Sequence, residues 1–468
     1  MERARIAVCH LTEGPMSSSA SAARGSIPAA TGTSPDPYLP GAGTNAFRVE
    51  RYELDLDYRV ASNRLSGKAV LHGVTCAPTS AIVLDLVGLR ATKVLLDGRK
   101  PLRFSQRAGQ LVVTSQAPFE PKQPFTLEVR YEGNPRPRRG PWGEVGWEEL
   151  TDGVLVAGQP NGAPSWFPCN DHSRDKASYR FTVTTEANYR VVCNGVLQSH
   201  TARASRETWV YEQAEPMAAY LATVQIGRYV PLELDAGRHG APVPQSVAVS
   251  HALADRARTG LARQPAMMST FSNCFGPYPF PAYTVVVTED ELEIPLEAQS
   301  MAILGPNHLG LDWESQRLIA HELSHQWFGN SLTAAGWQDI WLHEGFACYA
   351  EWIWSEEAGV MSVAERAAAA WQRLQAEDQD ILVGDPGPAR MFDDRVYKRG
   401  ALALHAVRMA VGDLAFFAVL QDWTAGHRHG WVTTQDFIVA VSSATAVDAE
   451  PLLHPWLYEE PLPPLPLA

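Results

Sequence analysis

Cysteine is scarce in this chain. Six occur in 468 residues (Cys9, Cys76, Cys169, Cys193, Cys274 and Cys348), widely scattered and with no C-x-x-C pair. In a chain this long that pattern points to free thiols and a reducing compartment. Long hydrophobic runs are also missing: none approaches the about 18 apolar residues that a spanning helix needs. Positive charge is in deficit, with 39 basic against 52 acidic residues and a net charge of −13, which disfavours nucleic acid as the main partner. The opening "MERARIAVCHLTEG" lacks an apolar core long enough for a secretory signal, and Glu2 and Glu13 weigh against a transit peptide. The expected location is the cytoplasm, with no membrane partner. What remains is ordinary for a soluble globular protein: 45% hydrophobic and 19% charged residues, in a chain long enough for two to four domains.

Three regions are expected. Residues 1–45 read as a disordered tail, because "MSSSASAARGSIPAATGTSPDPYLPGAGTN" offers no periodic apolar face to offset its ordering entropy. Met16 is an alternative start. Residues 46–235 read as an antiparallel β domain, sheet on sheet: "YELDLDY" (52–58), "FTLEVRY" (125–131) and "YRFTV" (179–183) alternate apolar and polar, and Asn194-Gly195 is a hairpin signal. Residues 236–468 turn to helical periods. Leu318, Ile319, Leu323 and Trp327 fit one helix face with Asp312 as N-cap, while "ALALHAVRMAV" (401–411) and "DLAFFAVLQDW" (413–423) read as further helices. The proline-rich end "EEPLPPLPLA" cannot be helical and is expected to run extended over the surface.

The chemistry concentrates in "HELSHQWFGN" (321–330). On a helix, His321 and His325 stand one turn apart on the same face, so both can point at one metal ion. Neutral imidazole suits zinc, and a catalytic zinc takes three protein ligands and leaves one position open. The third ligand is expected to be a carboxylate on a neighbouring element. Glu344, in "GWQDIWLHEGFACYAEWIWS", follows His325 after 18 residues, enough to finish one helix, turn and enter an antiparallel partner. Glu322 would then face a metal-activated water as general base. Either histidine alone reads more readily as a satisfied core residue. The three residues together, at these spacings, outweigh that.

At this point the chain resembles the gluzincin zinc aminopeptidases, peptidase family M1, the aminopeptidase N-like group that also includes a bifunctional leukotriene-epoxide hydrolase. The likeness rests on "HELSHQWFGN", "WLHEGFA", "VYKRGALALH" (396–405) and "GQPNGAPSWFPCND" (158–171), and runs from about residue 45 to the end. It implies an N-terminal β-sandwich or saddle domain followed by a mainly α, thermolysin-like catalytic domain with a small edge sheet. It implies one zinc ion held by His321, His325 and Glu344, with Glu322 as base. Tyr397 matches the family tyrosine whose hydroxyl stabilises the tetrahedral intermediate, a role that suits a phenol donor placed where charge develops.

An aminopeptidase must also hold a free α-ammonium. The family usually carries Gly-x-Met-Glu-Asn before the zinc helix; here the segment is "IPLEAQS" (294–300), with Glu297 at the glutamate position. Ile294-Pro295 and Ala298 depart from the pattern, which bears on backbone contacts to substrate and on side-chain preference. Gln159 matches the family glutamine that reaches the substrate amino terminus from the β domain, its amide oxygen accepting from the ammonium. Asp339 is a candidate partner for the outer nitrogen of a ligand histidine, and His343 reads as a helical neighbour, not a ligand. The basic loop "NPRPRRGPWG" (134–143) reads as a solvated connection. Family members usually continue into a further helical domain. A chain stopping at 468 is expected to be a short form with a more open cleft, or one covered by oligomerisation. The expected function is zinc-dependent hydrolysis of the N-terminal peptide bond of peptides with a free N terminus. A zinc endopeptidase, epoxide hydrolysis and a non-catalytic peptide-binding relative stand as alternatives.

Overall fold

A computed structural model describes residues 35–101, 103–234 and 243–465. Most of the expected disordered tail (1–34), the expected domain boundary at 235/236 and the last three residues lie outside the described residues.

Period-two alternation builds the N-terminal region as read. Its largest sheet has seven strands in the order Val196–Arg203, Arg206–Ala218, Lys176–Glu186, Phe47–Arg59, Arg64–Thr75, Pro124–Gly133, Arg90–Leu96. Tyr52, Leu54 and Leu56 are fully buried, while Asp55 and Asp57 face water. One pairing departs from the antiparallel expectation: Phe47–Arg59 and Lys176–Glu186 run parallel, with Tyr52 opposite Tyr179 and Leu54 opposite Phe181. The long chain between them supplies the crossover that a parallel pair needs. The Tyr52 and Tyr179 rings stack at 4.9 Å, and Trp166 and Phe167 pack on the same cluster. The segment that ends in "SWFPCND" is thereby core, and it carries Gln159 at its start.

Asn194-Gly195 is not a hairpin. The strand before it, Arg190–Cys193, belongs to a five-stranded sheet, and the strand after it belongs to the seven-stranded one. Asn194 makes a corner instead: its amide donates to the carbonyls of Leu221 (3.0 Å) and Gln299 (2.8 Å), and its oxygen accepts from the Thr223 N–H (2.7 Å). Gly195, at φ +81°, still turns the chain, but the tertiary partners of Asn194 decide where it goes next.

Nine α-helices occur among the described residues: α1 (Ala254–Gly260), α2 (Gln264–Phe275), α3 (Trp313–Ser324), α4 (Trp341–Glu357), α5 (Val363–Gln375), α6 (Asp394–Val411), α7 (Asp413–Gly426), α8 (Thr434–Ala444) and α9 (Ala449–Tyr458). Helices α1 and α3 contact a five-stranded sheet, Tyr229–Glu233, Gln245–Ser250, Tyr283–Val287, Met301–Leu304 and Leu296–Ala298, the last of these at its edge, while the remaining helices pack mainly on one another. This is the β-rich domain followed by a mainly helical domain that the sequence implies.

Two stretches read as solvated are anchored. Residues 36–42 are not part of a disordered tail: Asp36, Tyr38, Leu39 and Ala42 are buried. The Asp36 carboxylate accepts from the Trp337 N–H at 2.8 Å, and the Tyr38 hydroxyl donates to Asp385 and accepts from the Gly387 N–H. Composition suggested disorder because the apolar residues here are few; Tyr38, Leu39 and Ala42 nevertheless join the hydrophobic core. In the basic loop, Trp142 donates to the Pro388 carbonyl at 2.7 Å and packs edge-on against Phe392. Residues 459–465 of the proline-rich end carry no helix, as expected, and Trp371 donates to the Pro463 carbonyl.

Candidate active site

Helix α3 begins where the Asp312 carboxylate accepts from the Ser315 N–H at 3.0 Å. Its last turn carries His321 and Glu322, and His325 stands at its C-cap. Glu344 lies in the first turn of α4, which packs against α3. Helix α6 is drawn unusually close to α4 by two glycines set back to back: a Cβ at Gly345 would lie 2.9 Å from the Gly400 carbonyl carbon. Tyr397 is one turn before Gly400, so this approach brings its ring over His321, at 5.9 Å between centroids and 17° between planes.

The three predicted ligands converge. Glu344 Oε2 is 3.4 Å from His321 Nε2 and 3.5 Å from His325 Nε2. Donor atoms at zinc distance around a tetrahedral ion stand about 3.4 Å apart, so the set fits zinc. Its outer contacts fit too. His321 Nδ1–H donates to Glu351 Oε1 at 2.8 Å and His325 Nδ1–H to the Phe328 carbonyl at 3.0 Å. With both outer nitrogens protonated, both Nε2 lone pairs face inward. Burial pulls the His325 pKa down to about 4, which keeps that imidazole neutral.

Sequence reasoning missed Glu351. Burial pushes its carboxyl up, but the charge of Lys398, the bond from His321 and the charge of Arg317 outweigh this and hold it down to about 2. It is therefore an ionised partner for His321. Asp339 does not fill that role: its carboxylate accepts from the Thr434 hydroxyl at 2.6 Å, because it lies on a 3-10 turn before α4 starts, off the helical face that meets His321. His343 is no ligand either, since its Nε2 accepts from the Ala334 N–H at 2.7 Å.

Beside the ligands stands a second set. Glu297, Glu322 and His325 bring one donor atom each within 4.8 Å of one another. Glu322 Oε2 is buried with no hydrogen-bond partner, and burial raises its pKa. Burial, then the charges of Glu322 and Glu344, raise that of Glu297. An orphaned carboxylate oxygen and two crowded carboxylates are costly unless a cation or a donor meets them. Glu297 sits on the edge strand Leu296–Ala298, which is tied to the chain after α3 through the Ala298 carbonyl. That oxygen accepts from Gln326 (3.1 Å) and from Asn330 (2.9 Å). Tyr220, also missed, is buried next to the charges of Glu297 and Glu344 and donates to the Gly329 carbonyl at 3.2 Å. Gln159 lies in the loop after the strand Gly153–Ala157, its Nε2 buried without a partner. Its neighbour Gly158 abuts Tyr220 so closely that a Cβ there would be 2.2 Å from the Tyr220 carbonyl oxygen.

Two histidines and a glutamate thus converge on packed helices beside two further carboxylates, a donor set that fits a single zinc ion. Sequence models of the peptidase M1 N-terminal domain and of the peptidase family M1 domain match residues 48–221 and 260–456. The chain belongs to peptidase family M1. It is 24% identical over 438 residues to a leucyl aminopeptidase of Saccharolobus solfataricus, covering 88% of this chain and 53% of that one. It is 21% identical to the tricorn protease-interacting factor F2 of Thermoplasma acidophilum, covering 87% and 53%. The chain thus spans about half the length of the curated relatives it matches. Among solved structures, the M1 zinc metallopeptidase of Deinococcus radiodurans superposes with a TM-score of 0.85 at 29% identity, covering 92% of this chain and 98% of that one. A mutant of that protein bound to a Tyr-Ser-Ala substrate gives 0.84. Yeast LTA4 hydrolase, at 20% identity and 0.75, shares the fold.

Proposed function

We propose that this chain is a zinc-dependent aminopeptidase that hydrolyses the N-terminal peptide bond of peptides. One observation carries the reading: the Glu297 carboxylate stands beside the base and a ligand histidine, within 4.8 Å of both. Peptide hydrolysis at a zinc centre needs one free carboxylate. A second, fixed beside it, suits a substrate that brings its own positive charge, and a free α-ammonium does so.

His321, His325 and Glu344 would hold the metal, which when bound supplies a Lewis acid for the scissile carbonyl and a nucleophile at neutral pH. Glu322 takes the proton of the attacking water and passes it to the leaving amine, a transfer for which a carboxyl raised by burial is suited. The Tyr397 hydroxyl, on the ring that lies over His321, donates to the carbonyl oxygen as charge develops there. Glu297 fixes the α-ammonium and sets which bond is presented, with the Gln159 amide oxygen as a second acceptor. The names of the Saccharolobus relative and of the Deinococcus complex support the same reading. The partners are then peptides with a free N terminus. The location proposed is the cytoplasm, consistent with five free cysteines among the described residues.

The test is hydrolysis of free aminoacyl-coumarin amides and their N-acetylated twins, with and without a zinc chelator, and with Glu322→Gln. Activity should be confined to free amines and vanish with chelator or mutation. Equal rates on free and acetylated substrates would sink the exopeptidase assignment.

A further inference from the structure

Lys176 opens the strand Lys176–Glu186 of the seven-stranded sheet, yet its ammonium group lies among main-chain carbonyls of the catalytic domain. It donates to Asn330 O at 3.0 Å, Ser331 O at 2.8 Å and Gly430 O at 2.8 Å. Three donors meet three acceptors. Two of those acceptors belong to the short stretch that leaves α3 directly after His325, and the third to the connection beyond α7.

Asn330 is where the constraints meet. Its N–H donates to the His325 carbonyl at 3.0 Å, and its side-chain amide donates to Ala298 on the strand that bears Glu297, at 2.9 Å. Its own carbonyl is held by Lys176. The same stretch contains Phe328, whose carbonyl orients the His325 ring. It also contains Gly329 at φ +121°, where a Cβ would lie 3.3 Å from His325 Nδ1. The N–H groups of Asn330, Ser331 and Leu332 bond back to His325, Gln326 and Trp327, whereas the outward carbonyls of Asn330 and Ser331 are met by Lys176, with a longer 3.5 Å bond from Thr333 to Asn330 O. Metal ligands and substrate anchors need placement to about half an ångström.

We propose that Lys176 is a positioning residue of the catalytic centre: its ammonium, reaching in from the β domain, sets the 328–331 stretch and through it the His325 imidazole and the Glu297 carboxylate. The proposal rests on the zinc centre described under Proposed function. It makes the β domain a working part of the metal site.

The test uses Lys176→Met in the full chain, with zinc affinity measured by chelator competition on protein whose circular dichroism and melting show it folded. Zinc should bind at least about tenfold more weakly, the range seen when partners of a ligand histidine are altered, and kcat should fall more than KM rises. A folded variant whose zinc Kd stays within threefold of the parent overturns the proposal, whatever its melting temperature. If Lys176→Met does not fold, Lys176→Arg, which keeps the charge but cannot reproduce the three bonds from one nitrogen to Asn330, Ser331 and Gly430, is judged by the same threefold limit. Because zinc is read directly, a parent chain that binds zinc but cleaves nothing would defeat the aminopeptidase reading and leave this test standing.

Discussion

A single hydrogen bond decides which nitrogen of His321 faces the centre. Glu351, at 2.8 Å from Nδ1, keeps the proton there and the lone pair of Nε2 pointing inward. Glu351→Gln retains shape but removes the charge that Lys398 and Arg317 also neutralise, so zinc affinity should drop about tenfold or more. Isothermal titration of the apoprotein reads this directly, and an unchanged Kd would contradict it. Tyr397→Phe should leave metal content and melting temperature intact, because the ring still lies over His321, and should lower kcat by about 10²–10³-fold, as loss of an oxyanion donor does. Steady-state kinetics with a free aminoacyl amide checks it; a KM-only effect would argue against the role. At this scale the convergence of His321 and His325 was legible, because helical spacing alone aligns the two side chains. Glu351 follows Glu344 by seven residues, two turns along α4, so the same argument reaches it. Lys176 and Tyr220 were not legible: their partners lie far away in sequence, and nothing local marks a lysine that will meet three carbonyls.

Between elements, the contact that matters most is α4 against α6. Gly345 and Gly400 let the two backbones touch, which brings both Glu344 and Tyr397 up to the His321 ring. Gly345→Ala would force a methyl to 2.9 Å from backbone that has no flexible end to move. Overpacking of this kind costs about 1–3 kcal/mol, so melting temperature should fall, and activity should fall further than zinc content does, since Tyr397 is carried away with α6. Activity that tracks zinc content would show that the helix separation is not felt at the tyrosine. Strand alternation and the Asp312 cap were readable because both are local periodicities. The corner at Asn194 was not, since its amide is claimed by Leu221 and Gln299, residues of other elements. The parallel pairing of Phe47–Arg59 with Lys176–Glu186 depends on the same kind of distant partner.

Across the whole molecule, both domains and the stretch before them converge on the region just ahead of α4. Trp337, on the turn leading into that helix, packs edge-on against Tyr220 at 5.0 Å and donates its N–H to Asp36. Tyr38 binds the chain at Asp385 and Gly387. Tyr38→Phe leaves the Gly387 N–H and Asp385 short of a partner and should cost about 1–3 kcal/mol, seen as a lower melting temperature with zinc content unchanged. Composition hid this segment, because a few apolar residues in a polar stretch can still be decisive when they join the core. The two-domain plan itself was plain from the change of period along the chain. The most direct test of the whole account is the ratio of kcat/KM for a free aminoacyl-coumarin amide to that for its N-acetylated twin, in the parent chain and in Glu297→Ala. The ratio should be large in the parent and collapse in the variant while zinc stays bound. A ratio near one in the parent, or one that survives the loss of Glu297, would contradict it.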